Sequence, residues 1–250
     1  MQESEPYIIT KSRTVRKILW GRIAAVVFAV CILVIGGVLW LSRTPRAITA
    51  KARTYRLVAV GDYKDLGEAS MRAQAAVRSG GAGYLYGESS YTVAVACYAS
   101  AADADAVCER LRAEDASARV VSVSCAALTL DRPAENADTV KKMLVRPAAL
   151  FDELYAVSLQ TDTKEISAAA AKYAALKMHV ACVEYAEICR RLQTDTGEYL
   201  SALFLSLADT LQTPADASEN VAAELKYALC DMAVKICAHT EAFIDKNKKL

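Results

Sequence analysis

The phrase VAVGDY at residues 58–63 returns as VAVACY at residues 93–98, thirty-five positions later. An acidic residue and an alanine follow both copies at the same offset, as Glu68-Ala69 and as Asp103-Ala104. Each pair opens an alanine-rich run with the character of a helix. The chain is therefore predicted to contain a strand and a following helix in duplicate.

Residues 54–125 are predicted to fold in the order strand, helix, strand, strand, helix, strand. The predicted strands are Tyr55–Val60, Tyr84–Tyr86, Tyr91–Cys97 and Arg119–Val123, and the predicted helices are Leu66–Ser79 and Ala101–Ala113. Gly61 is expected to close the first strand. Two βαβ halves of this length predict an α+β unit, a four-stranded antiparallel sheet with both helices on one face.

Alternation along the strands assigns the two faces of the sheet, because successive side chains point to opposite sides. Val58, Val60, Val93 and Val95 are predicted to pack under the two helices. The opposite face is expected to be open and to carry Leu57, Ala59, Thr92, Ala94, Tyr84 and Tyr86. A ligand of the sheet would then meet this second face.

The unit resembles the SPOR domain of bacterial division and sporulation proteins, in which a hydrophobic-Gly-x-aromatic phrase and a following acidic-Ala pair occur twice. The matching residues are Val60-Gly61-Asp62-Tyr63 with Glu68-Ala69, and Val95-Ala96-Cys97-Tyr98 with Asp103-Ala104. This resemblance covers about 72 of the 250 residues.

The resemblance implies binding to peptidoglycan glycan strands stripped of stem peptides, on the open sheet face. It implies a ligand site made of Tyr84, Tyr86, Leu57, Ala59, Thr92, Ala94 and Tyr98. A second interpretation of the tyrosines stays open: they cover an otherwise apolar sheet or pack against the next domain, since tyrosine is an ordinary strand residue.

Residues 23–41 carry no charge and would span roughly 29 Å as a helix, close to the hydrocarbon thickness of a bilayer. Trp20 and Trp40 lie near the two ends, as interfacial indoles do. We predict an uncleaved single membrane span, with a cleaved signal peptide as the alternative. A polar, basic linker is expected at residues 42–53.

Charge does not decide the orientation of the span, because five basic residues lie on each side of it. They are Lys11, Arg13, Arg16, Lys17 and Arg22 before it, and Arg43, Arg46, Lys51, Arg53 and Arg56 after it. A short basic tail before a first span usually stays inside, so residues 1–22 are predicted to be cytoplasmic. The C-terminal domains are predicted to lie outside the cytoplasm, at the cell membrane.

The part beyond the membrane is mildly acidic. Residues 1–53 carry nine basic and two acidic side chains, so the rest of the chain carries a net charge of −6 against a total of +1. Nucleic-acid binding needs a basic face, and we therefore expect no nucleic acid as a partner.

Residues 126–146 are predicted to be a connector, and residues 147–246 an all-α bundle of four helices. Pro147 is expected at the start of its first helix, which ends near Gln160. The next helix, to Leu192, carries two apolar seams and is expected to contact two neighbours. One of these seams consists of Ile166, Ala169, Tyr173, Leu176, Val180 and Val183. The last two helices are expected to end at Pro214 and near Lys246.

Cys182 and Cys189 are seven residues apart, as are Cys230 and Cys237. Each pair would lie on one face of its helix, so two interhelical disulfides are one interpretation. Buried thiols serving as small core residues are the favoured one. A metal site made of His179, Cys182, Cys237 and His239 matches no zinc-ligand spacing and is not predicted.

No catalytic constellation is recognisable: the chain has two histidines, no phosphate loop after a strand and no nucleophile elbow. We predict a non-enzyme without a cofactor. The first functional hypothesis is a membrane-anchored SPOR-like protein that binds or senses septal peptidoglycan in division or sporulation. The alternative is a membrane-anchored scaffold whose sheet face and helical bundle bind protein partners.

Overall fold

The computed structural model describes residues 47–114, 117–130, 136–217 and 219–248. The predicted cytoplasmic tail and membrane span lie outside these residues. Within them, no helix combines the length and the apolar character that a membrane crossing requires. Residues from Ala47 onward form one compact unit.

The described part of the chain is an α+β fold of two antiparallel sheets and six helices. The strands are β1 (Ile48–Ala50), β2 (Arg53–Tyr63), β3 (Tyr84–Tyr86), β4 (Tyr91–Tyr98), β5 (Arg119–Cys125) and β6 (Leu128–Leu130). The helices are α1 (Leu66–Arg78), α2 (Ala101–Ala113), α3 (Ala137–Asp162), α4 (Ala168–Arg190), α5 (Asp195–Asp216) and α6 (Val221–Lys248).

The larger sheet has four antiparallel strands in the order β3-β4-β2-β5, which confirms the predicted sheet. The valines of the repeated phrase also lie as predicted. Val58 packs with Ala104 and Cys108 of α2, and Val93 packs with Ala69 and Ala73 of α1. The side chains of Asp65 and Ser100 cap these helices by accepting hydrogen bonds from backbone N–H groups of their first turns.

Gly61 does not close β2, contrary to the prediction. The strand continues to Tyr63, and its pairing with β4 shifts register between Val58 and Gly61. The Tyr63 side chain lies over Gly61, where an added Cβ would come within 2.9 Å of its hydroxyl oxygen and two ring carbons. Glycine thus leaves room for the close approach of this tyrosine, and the strand runs on through it.

The predicted linker and connector both contain strands. Ile48 of β1 pairs with Leu130 of β6, and both side chains are buried. Their pairing joins the segment that precedes the larger sheet in the chain to the segment that follows it. Each strand has too few residues to show an apolar pattern in the sequence, and the pairing joins positions 78 to 82 residues apart.

The first helix of the bundle begins at Ala137, and Pro147 lies inside it rather than at its start. Buried Val140, Leu144, Pro147 and Phe151 follow one another at helical spacing. The interior proline loses one backbone hydrogen bond, and burial of this continuous seam compensates for that loss. Pro214 is likewise inside α5, which runs to Asp216.

Helix α6 lies across the sheet face opposite α1 and α2, in contact with β3, β4 and β5. The sheet and the helices consequently share one hydrophobic core. Tyr55 of β2 and Phe151 of α3 are both fully buried, with their ring centroids 4.6 Å apart.

Replacing Leu57 by alanine should therefore destabilise the whole unit. Leu57 is fully buried on the α6 side of the sheet. Loss of its side chain should lower the free energy of unfolding by about 2–5 kcal/mol, measured by urea denaturation of residues 47–250. Leu66→Ala, at a half-exposed leucine, is the control and should change the free energy by less than about 1 kcal/mol. Equal effects of the two substitutions would contradict a covered sheet face.

Candidate functional site

The sheet face that was predicted to be open is covered by α6. Leu57, Ala59 and Ala94 are 0% exposed, and Thr92 and Tyr84 are 7% and 8% exposed. The expectation of an open face is therefore wrong for these residues. A strand with small apolar side chains leaves room for a helix to pack closely on it, and α6 occupies that room.

The hydroxyl of Tyr84 is hydrogen-bonded to a residue of α6. Its hydroxyl donates a hydrogen bond to Asp231 Oδ1 at 3.4 Å, and its ring packs edge-on against Tyr227 at 5.2 Å. Burial raises the pKa of Tyr84, with a further contribution from the Asp231 charge. The side chain serves the contact between sheet and helix and is not available to a ligand.

Asp231 is the centre of a polar group between the sheet, α5 and α6. Its Oδ2 forms an ion pair with Lys235 Nζ at 2.8 Å and accepts a hydrogen bond from the Thr210 hydroxyl at 2.5 Å. The Asp231 carboxylate is largely buried, and these partners satisfy its hydrogen-bonding capacity. No sequence motif marks this group, because its members come from three separate elements.

The Thr92 hydroxyl also forms its hydrogen bond within the chain. Its hydroxyl donates to Asp62 Oδ1 at 2.5 Å, and Arg119 Nη2 lies 2.5 Å from the same oxygen. The hydrogen bonds from Arg119, and then from Thr92, hold the pKa of Asp62 below its usual value. Tyr86 is half-buried against the shared core.

Tyr98 is the one predicted ligand residue that lines an open cavity. A groove of about 640 Å³ lies on the other side of the sheet, between α1 and α2. Tyr63 and Tyr98, the last residues of the two copies of the repeated phrase, both line it. The duplication therefore brings two equivalent tyrosines to a single groove, which the sequence did not predict.

Two arginines give this groove a positive character. Arg72 of α1 and Arg110 of α2 line it, together with Glu114 and the ion pair between Asp162 and Lys226. Neither guanidinium forms an ion pair with another residue of the described ranges. Aromatic faces beside charged hydrogen-bond donors can bind a polar ligand such as a sugar or an anionic group.

The four bundle cysteines are buried free thiols, as the favoured interpretation predicts. The alternative pairing across α4 and α6 is not formed. Cys182 lies near Arg146 and Glu153 of α3, whereas Cys237 faces the sheet with its Sγ 3.9 Å from the Val123 carbonyl oxygen. Cys230 likewise lies near Cys97 of β4.

Cys125, at the end of β5, forms a pair with Cys237. The interaction with the neighbouring Cys237 thiol lowers the pKa of Cys125, and the same interaction raises the pKa of Cys237. The charge of Arg53 lowers the pKa of Cys125 further. Cys125 is also partly exposed, so its thiolate can be reached from solvent.

Cys125 should therefore be the most reactive of the described cysteines, since the thiolate is the nucleophile. At pH 7 we expect iodoacetamide to modify Cys125 at least about tenfold faster than Cys182, whose pKa is raised by burial to about 12. Peptide mass spectrometry over a pH series measures both rates. Cys237→Ala should move the rise in Cys125 alkylation to higher pH, and an unchanged pH profile would contradict the pairing.

The two histidines have structural positions. His179 Nδ1 lies 2.8 Å from the Ala208 carbonyl oxygen and joins α4 to α5. Burial, and then the charge of Lys235, lowers the pKa of His239. Throughout the ranges that the structure describes, no three His, Cys, Asp or Glu side chains are placed to hold a metal ion.

Helix α4 carries an apolar surface without a neighbour. Tyr173, Leu176, Val180 and Val183, which we call the α4 seam, are 44–65% exposed. The sequence predicted a neighbouring helix on this side. In the structure α4 does contact two helices, chiefly α5 and also α3, but the side chains of the α4 seam stay exposed to solvent.

Comparison of the chain with protein-family models, with curated proteins and with solved structures gives no match. The similarity to SPOR domains thus stays a prediction from the repeated phrase.

Proposed function

We propose that this protein is a membrane-anchored interaction scaffold. The predicted span at residues 23–41 holds it at the cell membrane, and the unit from Ala47 onward presents the α4 seam to a protein partner. The observation that carries this proposal is the burial of the predicted ligand face under α6. The sheet face forms part of the hydrophobic core, and the proposed binding surface lies on helix α4.

The chemistry of the two surfaces supports this choice. Sugar recognition requires polar groups that are free to bond hydroxyls, but Tyr84 and Thr92 already bond Asp231 and Asp62. The α4 seam instead offers large apolar side chains to water. A contiguous exposed apolar surface of this kind usually marks a protein interface.

A photo-crosslinking amino acid at Val180 tests the proposal in cells that express the full chain. We expect a discrete protein adduct at Val180, because the seam is in contact with its partner there. Val145 on α3 is the matched control, since its exposure of 53% is close to the 48% of Val180. The same probe at Val145 should give no adduct.

The scaffold proposal fails if Val180 yields no protein adduct, or if Val145 yields the same adducts with the same efficiency. Val183→Asp, one helical turn away on the seam, should abolish the adduct at Val180. Circular dichroism should show an unchanged helical content for this variant, since Val183 is exposed.

We propose glycan binding in the groove between α1 and α2 as a second candidate. The observation in its favour is that both repeat tyrosines, Tyr63 and Tyr98, line this groove beside Arg72 and Arg110. Stacking on tyrosine rings and hydrogen bonds from the guanidinium groups are suited to a sugar chain. This candidate also requires the predicted placement of the unit outside the cytoplasm.

Co-sedimentation of residues 47–250 with amidase-treated peptidoglycan tests the second candidate. Binding should fall at least about tenfold in the double variant Tyr63→Ala and Arg110→Ala, because stacking and a charged donor are lost together. Tyr173→Ala removes an exposed tyrosine far from the groove lining and should bind as the unchanged protein does. No sedimentation, or equal loss in the control, would rule the groove out as a glycan site.

A further inference from the structure

Two thiols lie side by side between the end of β5 and helix α6. Cys237 Sγ is 3.9 Å from the carbonyl oxygen of Val123, and Cys125 is the next residue of β5 on the same face of the strand. Cys237 is 5% exposed, whereas Cys125 is partly exposed. One thiol of the pair is therefore accessible to a small reagent, and the other is almost fully buried beside it.

Cys125 lines a small cavity. The cavity has a volume of about 70 Å³, and its lining also includes Arg53, Tyr55, Tyr199 and Thr240. This volume has room for a few molecules of the size of water or hydrogen peroxide, since a single water needs about 10–15 Å³. It has no room for a reagent as large as a tripeptide.

The cavity contains a hydrogen-bond donor that can hold a polar molecule. Tyr55 is fully buried, and its hydroxyl has no hydrogen-bond partner among the residues that the structure describes. Buried hydroxyls are usually bonded, so this group is suited to bond a small polar molecule beside Cys125. Burial raises the pKa of Tyr55, which keeps the hydroxyl protonated and able to donate.

Arg53 supplies a positive charge next to Cys125. The two residues lie directly opposite each other on β2 and β5, and Asp152 of α3 holds the guanidinium in place. The neighbouring Cys237 thiol contributes most to lowering the pKa of Cys125 to about 6, and Arg53 adds to this effect. At pH 7 the thiolate, which is the nucleophilic form, therefore predominates.

We propose that Cys125 is a site of oxidation by hydrogen peroxide, and that Cys237 completes the reaction by forming a disulfide with it. A reactive thiol that is accessible and has a second thiol at its side is the arrangement that this chemistry requires. The disulfide joins β5 to α6, the helix that covers the sheet, and so restricts the unfolded chain. The inference does not depend on the proposed function, because neither cysteine belongs to the α4 seam.

The oxidation takes place in two steps. The Cys125 thiolate attacks one oxygen of the peroxide, so that an S–O bond forms, the O–O bond breaks, and the departing hydroxide takes up a proton and becomes water. The sulfur of Cys237 then attacks the resulting sulfenic acid. The S–S bond forms, the S–O bond breaks, and the second hydroxide leaves as water with the thiol proton of Cys237. Two thiols are thereby oxidised by two electrons, and one peroxide is reduced to two waters.

The order of these steps follows from the charges of the pair. The interaction with Cys125 raises the pKa of Cys237, because a neighbouring thiolate disfavours a second negative charge. A sulfenic acid carries no charge, so this effect is removed once the first step is complete. Cys237 thus becomes a nucleophile after Cys125 has been oxidised.

Peptide mass spectrometry of the full chain tests the proposal. The chain is reduced in detergent micelles, freed of reductant and exposed to hydrogen peroxide at pH 7. We expect a disulfide-linked pair of peptides that contains Cys125 and Cys237 and is lost on renewed reduction. Cys97 and Cys230 are the internal control, since they also lie near each other but are 2% and 0% exposed. They should give at least about tenfold less linked peptide, and an equal yield from the two pairs would overturn the proposal.

Two substitutions separate the two steps. Cys237→Ser should leave a sulfenic acid at Cys125, trapped by dimedone, because the second thiol is missing. Cys125→Ser should leave Cys237 unmodified, because Cys237 is almost fully buried. Dimedone labelling of Cys237 in place of Cys125 would overturn the assigned roles. The linked peptide of the unsubstituted chain provides a test that does not depend on the folding of either variant.

Oxidised glutathione tests the size of the reagent. At the same concentration it should link Cys125 to Cys237 at least about tenfold more slowly than hydrogen peroxide does, because its tripeptide does not fit a cavity of about 70 Å³. An equal or faster linkage would overturn the assignment of peroxide as the oxidant.

Discussion

Burial of the sheet face against α6 is the contact on which the rest of this structure depends. Tyr55, Leu57 and Ala94 are fully buried on that side, and α6 contributes Leu229 and Met232 to the same core. Each Å² of apolar surface removed from water stabilises the fold by about 25 cal/mol, so an uncovered sheet would lose several kcal/mol of stabilisation. Because α6 closes the chain onto its own sheet, the α+β region and the helices form one unit.

The same contact decides which polar groups are available for function. Asp231 is held between Tyr84, Lys235 and Thr210, and its partners also set the position of α6 over the sheet. A buried carboxylate that lacked these partners would be strongly destabilising. Cys237, two helical turns further along α6, comes to lie beside Cys125 for the same reason. Among the surfaces that this contact leaves accessible are the groove between α1 and α2 and the outer side of α4.

Several features were predictable from local patterns. The strand Tyr84–Tyr86, the helix Ala101–Ala113 and the helix-side packing of Val58 and Val93 follow from alternation and helical spacing, which depend only on near neighbours. Pro147 was misassigned because proline usually marks a helix start, whereas here a buried seam continues through it. The pairing of β1 with β6 joins segments that are distant in the chain, and neither segment alone carries a signal for it.

By itself, the sequence determined the strands of the larger sheet, the two helices that follow its repeated phrase and the faces of these elements, because side-chain direction repeats every two residues in a strand and every 3.6 in a helix. Only the tertiary structure decided which apolar face is covered. The residues facing α6 and those of the α4 seam have the same apolar character in the sequence, yet Leu57 is fully buried and Val180 is half exposed. An apolar pattern indicates that burial of a surface is favourable, but which element covers that surface depends on how the whole chain packs.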